Sequence, residues 1–316
     1  MGWKRSHVVR IVLASAVLSC PPLAPAADVA LNGATVRFHL HRDYLIIVQV
    51  TLNGVGPLDF LVDTGCSTTT IDPELDRQLK APEIGGATVA LLAEVRRNRK
   101  VLLNEIRVGP AAAVAFPVLV DKLSEETALV PSVRGILGED FLKAFDLLID
   151  YDRSLLSFNE SAPDGERLQF EDAGAYRDKH TFNRVMIKVG FPGAGGNEAV
   201  LQLDTAAWVV ELFPASHLVL SSGGVSTSAR GPVITSGKSR SAYVPAKMRI
   251  GATEFRNVTV SLRQNDVASD AVGLLPAAMF GSIYISHSGG FVILNPRSTR
   301  REPRHNSLEL AALAER

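Results

Sequence analysis

The chain has 316 residues, 46% of them hydrophobic, with 33 Lys and Arg balanced by 33 Asp and Glu. That length and apolar content bury a substantial core, as one large domain or two small ones, and exclude extensive disorder. A formal net charge of +0 leaves no overall electrostatic footprint for nucleic acid or an anionic membrane surface.

The N-terminus reads as an export signal. Lys4, Arg5 and Arg10 precede the apolar run Ile11 to Cys20, and Ala24, Pro25 and Ala26 supply small residues for cleavage before Ala27. The run falls short of the ~20 residues a bilayer span needs, so residues 1–26 are read as a cleaved signal. The mature chain is expected in the periplasm or outside the cell, with no membrane attachment. Cys20 leaves a second option, a lipid anchor, which Leu18, Pro21 and Pro22 fit poorly. Once the signal is gone Cys66 is the one cysteine left, so neither an internal disulfide nor a cysteine metal cluster is available.

Beyond the signal, short apolar and β-branched runs are punctuated by Gly, Pro, Asn and Asp. Tyr44 to Leu52, Leu58 to Val62, Val101 to Val108 and Leu147 to Phe158 are predicted strands. Helical periodicity is confined to Pro73–Lys80, with proline at a plausible first turn, and Glu139–Phe145. The expected class is all-β with a few short helices.

The chain then repeats itself. Asp63-Thr64 recurs as Asp204-Thr205, 141 positions on, each at the end of an apolar strand. Upstream, Leu45 to Val50 has a partner in Val185 to Val189. Downstream, "IRVG" ending at Gly109 matches "MRIG" ending at Gly251, and Gly135-Ile136-Leu137-Gly138 matches Gly273-Leu274-Leu275-Pro276. Each copy is expected to close on a strand, Leu147 to Tyr151 in the first and Phe291 to Leu294 in the second. Four matched elements in one order describe a duplicated β unit. Residues 27–158 form the first copy, 159–178 a linker rich in Glu, Asp, Gly and Ala, 179–296 the second copy, and 297–316 a basic tail. Two copies are too few for a solenoid, so the units are expected to face one another about a pseudo-twofold axis.

An acid at a strand end is ordinarily a turn or cap residue. Two such acids brought to a common seam by matching strands have a different prospect, because like charges at close range cannot both ionise cheaply. One carboxyl keeps its proton while the other acts as a base. The pair then holds a water, deprotonates it as it attacks a carbonyl carbon, and donates a proton to the carbonyl oxygen, hydrolysing a peptide without metal or covalent intermediate.

"FLVDTGCSTTTID" followed by "GILGEDFLKAFDLLIDY" resembles the retropepsin-like aspartic peptidase family, over roughly residues 40 to 296. The resemblance implies two similar closed β-barrel lobes and a catalytic pair, Asp63 and Asp204, supplied by one chain in a pepsin-like arrangement. It implies that Ile136, Leu137 and Gly138 pass beneath the Asp63 loop, that Gly65 lets the backbone approach the carboxylates, and that Thr64 and Thr205 cross-brace the two loops. It implies a polypeptide substrate lying extended under a β-hairpin flap, placed at 84–101; the equivalent stretch of the second copy, 221–243, is either a second flap or a plain loop. No cofactor is called for, and the expected unit is a monomer. The second loop departs from the family at Ala206 and Pro276, where it has glycines. An extra methyl at 206 is expected to tilt Asp204 or crowd the bound water.

Competing chemistry is weaker. Cys66 lacks a histidine placed to serve it and reads as a small buried hydrophobe. The 7 histidines show no zinc-ligand spacing such as HExxH. Gly190 to Gly196 leads into a strand and has no lysine, so it reads as a turn and not a nucleotide loop. Ser282 and His287 form no nucleophile elbow. Two functions remain: an aspartic endopeptidase, or a catalytically impaired peptide-binding protein on the same scaffold.

Overall fold

The computed structural model describes residues 16–17, 34–90, 95–171, 184–192, 197–214, 233–236, 239–263 and 273–296, and strands dominate them. Nearly all of residues 1–26, read as an export signal, all of residues 297–316 and residues 172–178 of the expected linker lie outside the described residues.

Leu45–Leu52 is apolar at nearly every position, and six of its eight residues are buried, as expected of a strand covered on both faces. Asn53 and Gly54, at φ 49° and 81°, turn the chain in two residues, the conformation that an Asn-Gly hairpin turn requires. Val55–Val62 then returns antiparallel with Ile47 opposite Leu61 and Val48 opposite Phe60. The strand ends in three buried apolar residues, which carry the next residue, Asp63, into the interior.

Two sheets share one strand order. The first runs Glu83–Ala90, Val95–Val108, Ala111–Val120, Thr70–Ile71, Val133–Leu137, Val55–Val62, Leu45–Leu52, with Ala16–Val17 and His39–His41 at its ends. The second runs Val233–Ser236, Ser239–Ile250, Thr253–Arg263, Val210–Leu212, Gly273–Pro276, Asn197–Asp204, Met186–Phe191. Each sheet closes on itself, through Leu52 opposite Ile106 in the first and Gly190 opposite Arg249 in the second. The matched glycines play matched parts: Gly109 and Gly251, at φ 56° and 54°, each open a two-residue hairpin turn that admits positive φ at that position.

A third, six-stranded sheet joins the copies. Leu147–Asp150 of the first pairs antiparallel with Phe280–Ser286 of the second, Ile149 opposite Ile283. This corrects the expected match of closing strands. The counterpart of Leu147–Asp150 is Phe280–Ser286, the first strand after Gly273–Pro276, and Phe291–Pro296 corresponds to Leu155–Phe158. Apolar composition cannot separate two adjacent closing strands, whereas pairing does. Within the linker range, Leu168–Gln169 adds an edge strand to this sheet beside Phe291 and Val292. One continuous apolar core runs through both copies and the shared sheet, and within it Phe141, Phe145 and Phe158 make successive tilted and edge-on ring contacts.

The helix expected at Pro73–Lys80 forms over Pro73–Leu79. Asp72 caps it by accepting from the Glu74 and Leu75 N–H groups at 2.7 and 2.8 Å, and Lys80 ends it in the left-handed conformation. The helix expected at Glu139–Phe145 spans only Glu139–Leu142. A further helix, Ser124–Leu129, has no capping side chain and too few turns to show a period, so the sequence did not announce it.

Candidate active site

Strand geometry delivers both acids to one seam. Val55–Val62 lies between Leu45–Leu52 and Val133–Leu137, and the latter runs parallel to it with Leu137 beside Val62. The Asp63 N–H donates to the Leu137 carbonyl at 3.0 Å. Asn197–Asp204 is likewise flanked by Met186–Phe191 and Gly273–Pro276, with Asp204 in register with Pro276. Both aspartates are buried, at 1% exposure each.

The two loops hold one another reciprocally. The Thr64 hydroxyl donates to the Leu203 carbonyl at 2.9 Å and accepts from the Thr205 N–H at 3.1 Å. The Thr205 hydroxyl donates to the Val62 carbonyl at 2.8 Å and accepts from the Thr64 N–H at 3.0 Å. Three buried groups of each loop, a hydroxyl, an N–H and a carbonyl, are thus bonded to the other.

Each carboxylate is held by one oxygen. Asp63 Oδ1 accepts from the Gly65 and Cys66 N–H groups at 2.7 and 3.1 Å, and Asp204 Oδ1 accepts from those of Ala206 and Ala207 at 2.7 and 3.0 Å. Asp63 Oδ2 and Asp204 Oδ2 are buried without a hydrogen-bond partner. The acids face one another closely. A methyl group on Gly65 would sit 2.6 Å from Asp204 Oδ2 and 2.9 Å from Asp63 Oδ1, so those oxygens are separated by no more than one bridging water spans. Gly65 is glycine because the opposing carboxylate occupies the space of its side chain.

Burial sets the electrostatics. It raises the Asp204 carboxyl to about 7, with the charge of Glu211 adding to the effect and the two loop N–H groups opposing it. It raises Asp63 well above the ordinary carboxylate range too, reinforced by the negative charges of Asp204 and Glu126. A buried carboxyl facing another ionises only against desolvation and repulsion, so one proton is retained between them near neutral pH.

Gly138 packs closely against the Asp63 loop. Ile136 and Leu137 run beside Leu61 and Val62, and a Cβ at Gly138 would meet the backbone of Thr68 at 2.7 Å and of Cys66 at 3.0 Å. The Gly138 N–H donates to the Thr69 hydroxyl at 3.1 Å, which in turn donates to the Asp140 carboxylate at 2.6 Å. Pro276 occupies the matching place in the second copy and has no N–H to repeat that bond. Ala206 behaves differently from expectation. Its methyl is buried in an apolar cluster with Tyr44, Leu61, Cys66 and Ile136, and its N–H reaches Asp204 Oδ1 at the same 2.7 Å that Gly65 reaches Asp63. The extra carbon is absorbed by packing and leaves the carboxylate held as its partner is.

Several residues that meet the site carried no motif. Gln202, buried, donates from Nε2 to the Thr64 carbonyl at 3.3 Å and the Gly65 carbonyl at 3.1 Å. Its only sequence signal is a polar residue within the apolar stretch Ala199 to Leu203. Asp140, raised to about 6 by burial, anchors Thr69. Glu139 follows Gly138, is buried, and meets His287 Nε2 at 3.0 Å, with His287 Nδ1 on the Phe145 carbonyl at 2.8 Å. His287 is therefore bound into the shared sheet, and Ser282 accepts from Asn295, outside any triad.

Cys66 is buried, its thiol donates to the Thr68 carbonyl, and burial followed by the charge of Asp63 pushes it well above its ordinary value, which suppresses the thiolate. The strands expected to form a flap are a hairpin, with Ala87 opposite Asn98, though residues 91–94 at its tip lie outside the described residues. In the second copy Val233–Ser236 pairs with Ser239–Ile250, and residues 221–232 lie outside them. Residues 193–196 of the Gly190–Gly196 stretch do also.

Residues 48–141 match the family described as "Aspartyl protease". No curated protein matches the chain. Among solved structures, a retropepsin-like aspartic protease from Rickettsia conorii is similar at 20% identity and a TM-score of 0.31, over 40% of this chain and 90% of that one. The matched stretch contains the Asp63 loop and its Gly138 support, so this part of the chain is similar to the aspartyl proteases.

Proposed function

We propose that the protein is an aspartic endopeptidase in which Asp63 and Asp204 activate one water against a peptide carbonyl. The observation that carries this reading is the arrangement of the two carboxylates. Each is buried and fixed through Oδ1 by two loop N–H groups, each has an unpartnered Oδ2, and both lie against Gly65. A partly ionised pair of that kind accepts a proton from water at one oxygen while the protonated member donates to the carbonyl oxygen, and the roles reverse as the amine leaves. The substrate is an extended polypeptide, which fits the family of residues 48–141. The pair is complete within one chain, so the working unit is a monomer, and export through residues 1–26 places it in the periplasm or outside the cell.

Asp63→Asn and Asp204→Asn are each expected to reduce cleavage of a denatured protein at near-neutral pH, where the pair holds one proton, at least ~10³-fold, since each removes one half of the proton relay. Substantial activity in either variant would overturn the assignment. The second reading, a peptide-binding protein, is favoured by Pro276, which denies the second loop a bond that the first has. Purified protein that binds peptides and cuts none between about pH 3 and 7, the range in which such pairs work, would select it.

A further inference from the structure

Gln202 breaks the symmetry of the paired loops. It sits two residues before Asp204 on the same strand, so both side chains emerge on one face of the sheet, toward the first copy. The matching residue of the first copy is Leu61, packed in the apolar cluster beside Cys66 and Ala206. A leucine side chain has no N–H to offer, so the matching position gives the second loop no side-chain donor.

The two carbonyls that Gln202 grips are not arbitrary. The Thr64 carbonyl belongs to the peptide unit whose N–H is that of Gly65, and the Gly65 carbonyl to the unit whose N–H is that of Cys66. Those two N–H groups are the ones that hold Asp63 Oδ1. Each peptide is therefore polarised from behind, and hydrogen bonds in series strengthen one another in a low-dielectric interior. A stronger donor favours a charged acceptor over a neutral one.

We propose that Gln202 is a positioning residue of the dyad, which stabilises the charged form of Asp63 by holding and polarising the two peptides that donate to it. This deepens the endopeptidase reading and rests on it. The titratable groups facing Asp63 are Asp204 from the opposite loop, Cys66 from its own, and Glu126 from the helix Ser124–Leu129, and both carboxylates oppose its ionisation. Gln202 supplies a counterweight from the second copy to the two carboxylates that oppose ionisation of Asp63.

The test compares the parent with Gln202→Met, which keeps the length of the side chain and loses the donor, and with Gln202→Leu, the residue at the matching position of the first copy. Thermal unfolding identifies which variants fold. Whichever protonation state of the pair dominates, destabilising charged Asp63 raises the sum of its two apparent pKa values. The acidic and basic limbs of the kcat/KM profile together should therefore move to higher pH, by roughly half a unit in sum. A folded variant with both limbs unmoved would overturn the proposal, even if kcat fell. A second measurement needs neither activity nor a variant: in the parent, the Gly65 and Cys66 amide protons should resonate further downfield of their random-coil positions than those of Ala206 and Ala207. Equal displacement in the two loops would overturn the proposal. If the parent cuts nothing the endopeptidase reading fails by itself, and the amide shifts still decide the role of Gln202.

Discussion

Single atoms decide whether the two loops can meet. At Gly65 a side chain would collide with the carboxylate of Asp204, and Gly65→Ala is expected to remove nearly all cleavage while leaving circular dichroism close to the parent's. Ala206→Gly is the complementary change. Because the Ala206 methyl fills an apolar cluster, its loss should lower stability by about 1 kcal/mol, as deleting a buried methyl and adding backbone freedom does, without improving activity. A marked gain in turnover would show instead that the methyl crowds the water. These two residues stand at matching positions with the same hydrogen bond to an aspartate, and only the tertiary neighbourhood tells them apart. In the sequence Ala206 is visible only as a departure from the glycine at 65.

The elements around the loops act as clamps. Thr205 both donates and accepts across the seam, so Thr205→Val removes a hydroxyl of nearly equal volume and strands the Thr64 N–H and the Val62 carbonyl in the interior. A loss of about 2–4 kcal/mol in chemical denaturation is expected from two unsatisfied buried groups. Behind Gly138, Glu139 reaches from its short helix to His287 in the turn before Phe291–Pro296, tying the support of the Asp63 loop to the shared sheet. Burial works against a charged His287, and the Glu139 carboxylate outweighs it, leaving the imidazole raised above its ordinary value. His287→Ala leaves that carboxylate buried alone and should cost about 3 kcal/mol near pH 6, with Glu139→Gln, which removes the charge as well, costing less. Equal losses in the two variants would mean that packing and not charge is what the contact provides.

At the scale of the whole molecule, the paired acids make stability depend on pH. Asp204 has a folded value of about 7 against an ordinary 3.8, so the folded state holds a proton that the unfolded chain has released. Stability is therefore greatest below about pH 4 as far as this group is concerned and declines as pH rises toward 7. Asp204→Asn cannot ionise and should gain on the parent across that window, by about 2–4 kcal/mol at pH 7 relative to pH 4. A variant whose advantage stays constant across the window would show that the buried pair is not under electrostatic load.

The sequence by itself determined the class, the duplication and the residues of the two Asp-Thr loops. Alternation, turn residues and internal matching are local properties, and a strand that ends in an acid is visible as such. It also exposed Ala206 and Pro276 as departures, though not which one matters to the loop. The tertiary structure decided what depends on contacts between distant segments: that the closing strands of both copies merge into one sheet, that the Ala206 methyl has a pocket, that Glu139 finds His287, and that Gln202 stands behind the peptides holding Asp63. A buried polar residue in an apolar strand announces only that it has a partner. Which partner is a matter of three-dimensional register, and pairing between residues more than a hundred positions apart has no signature in either residue alone.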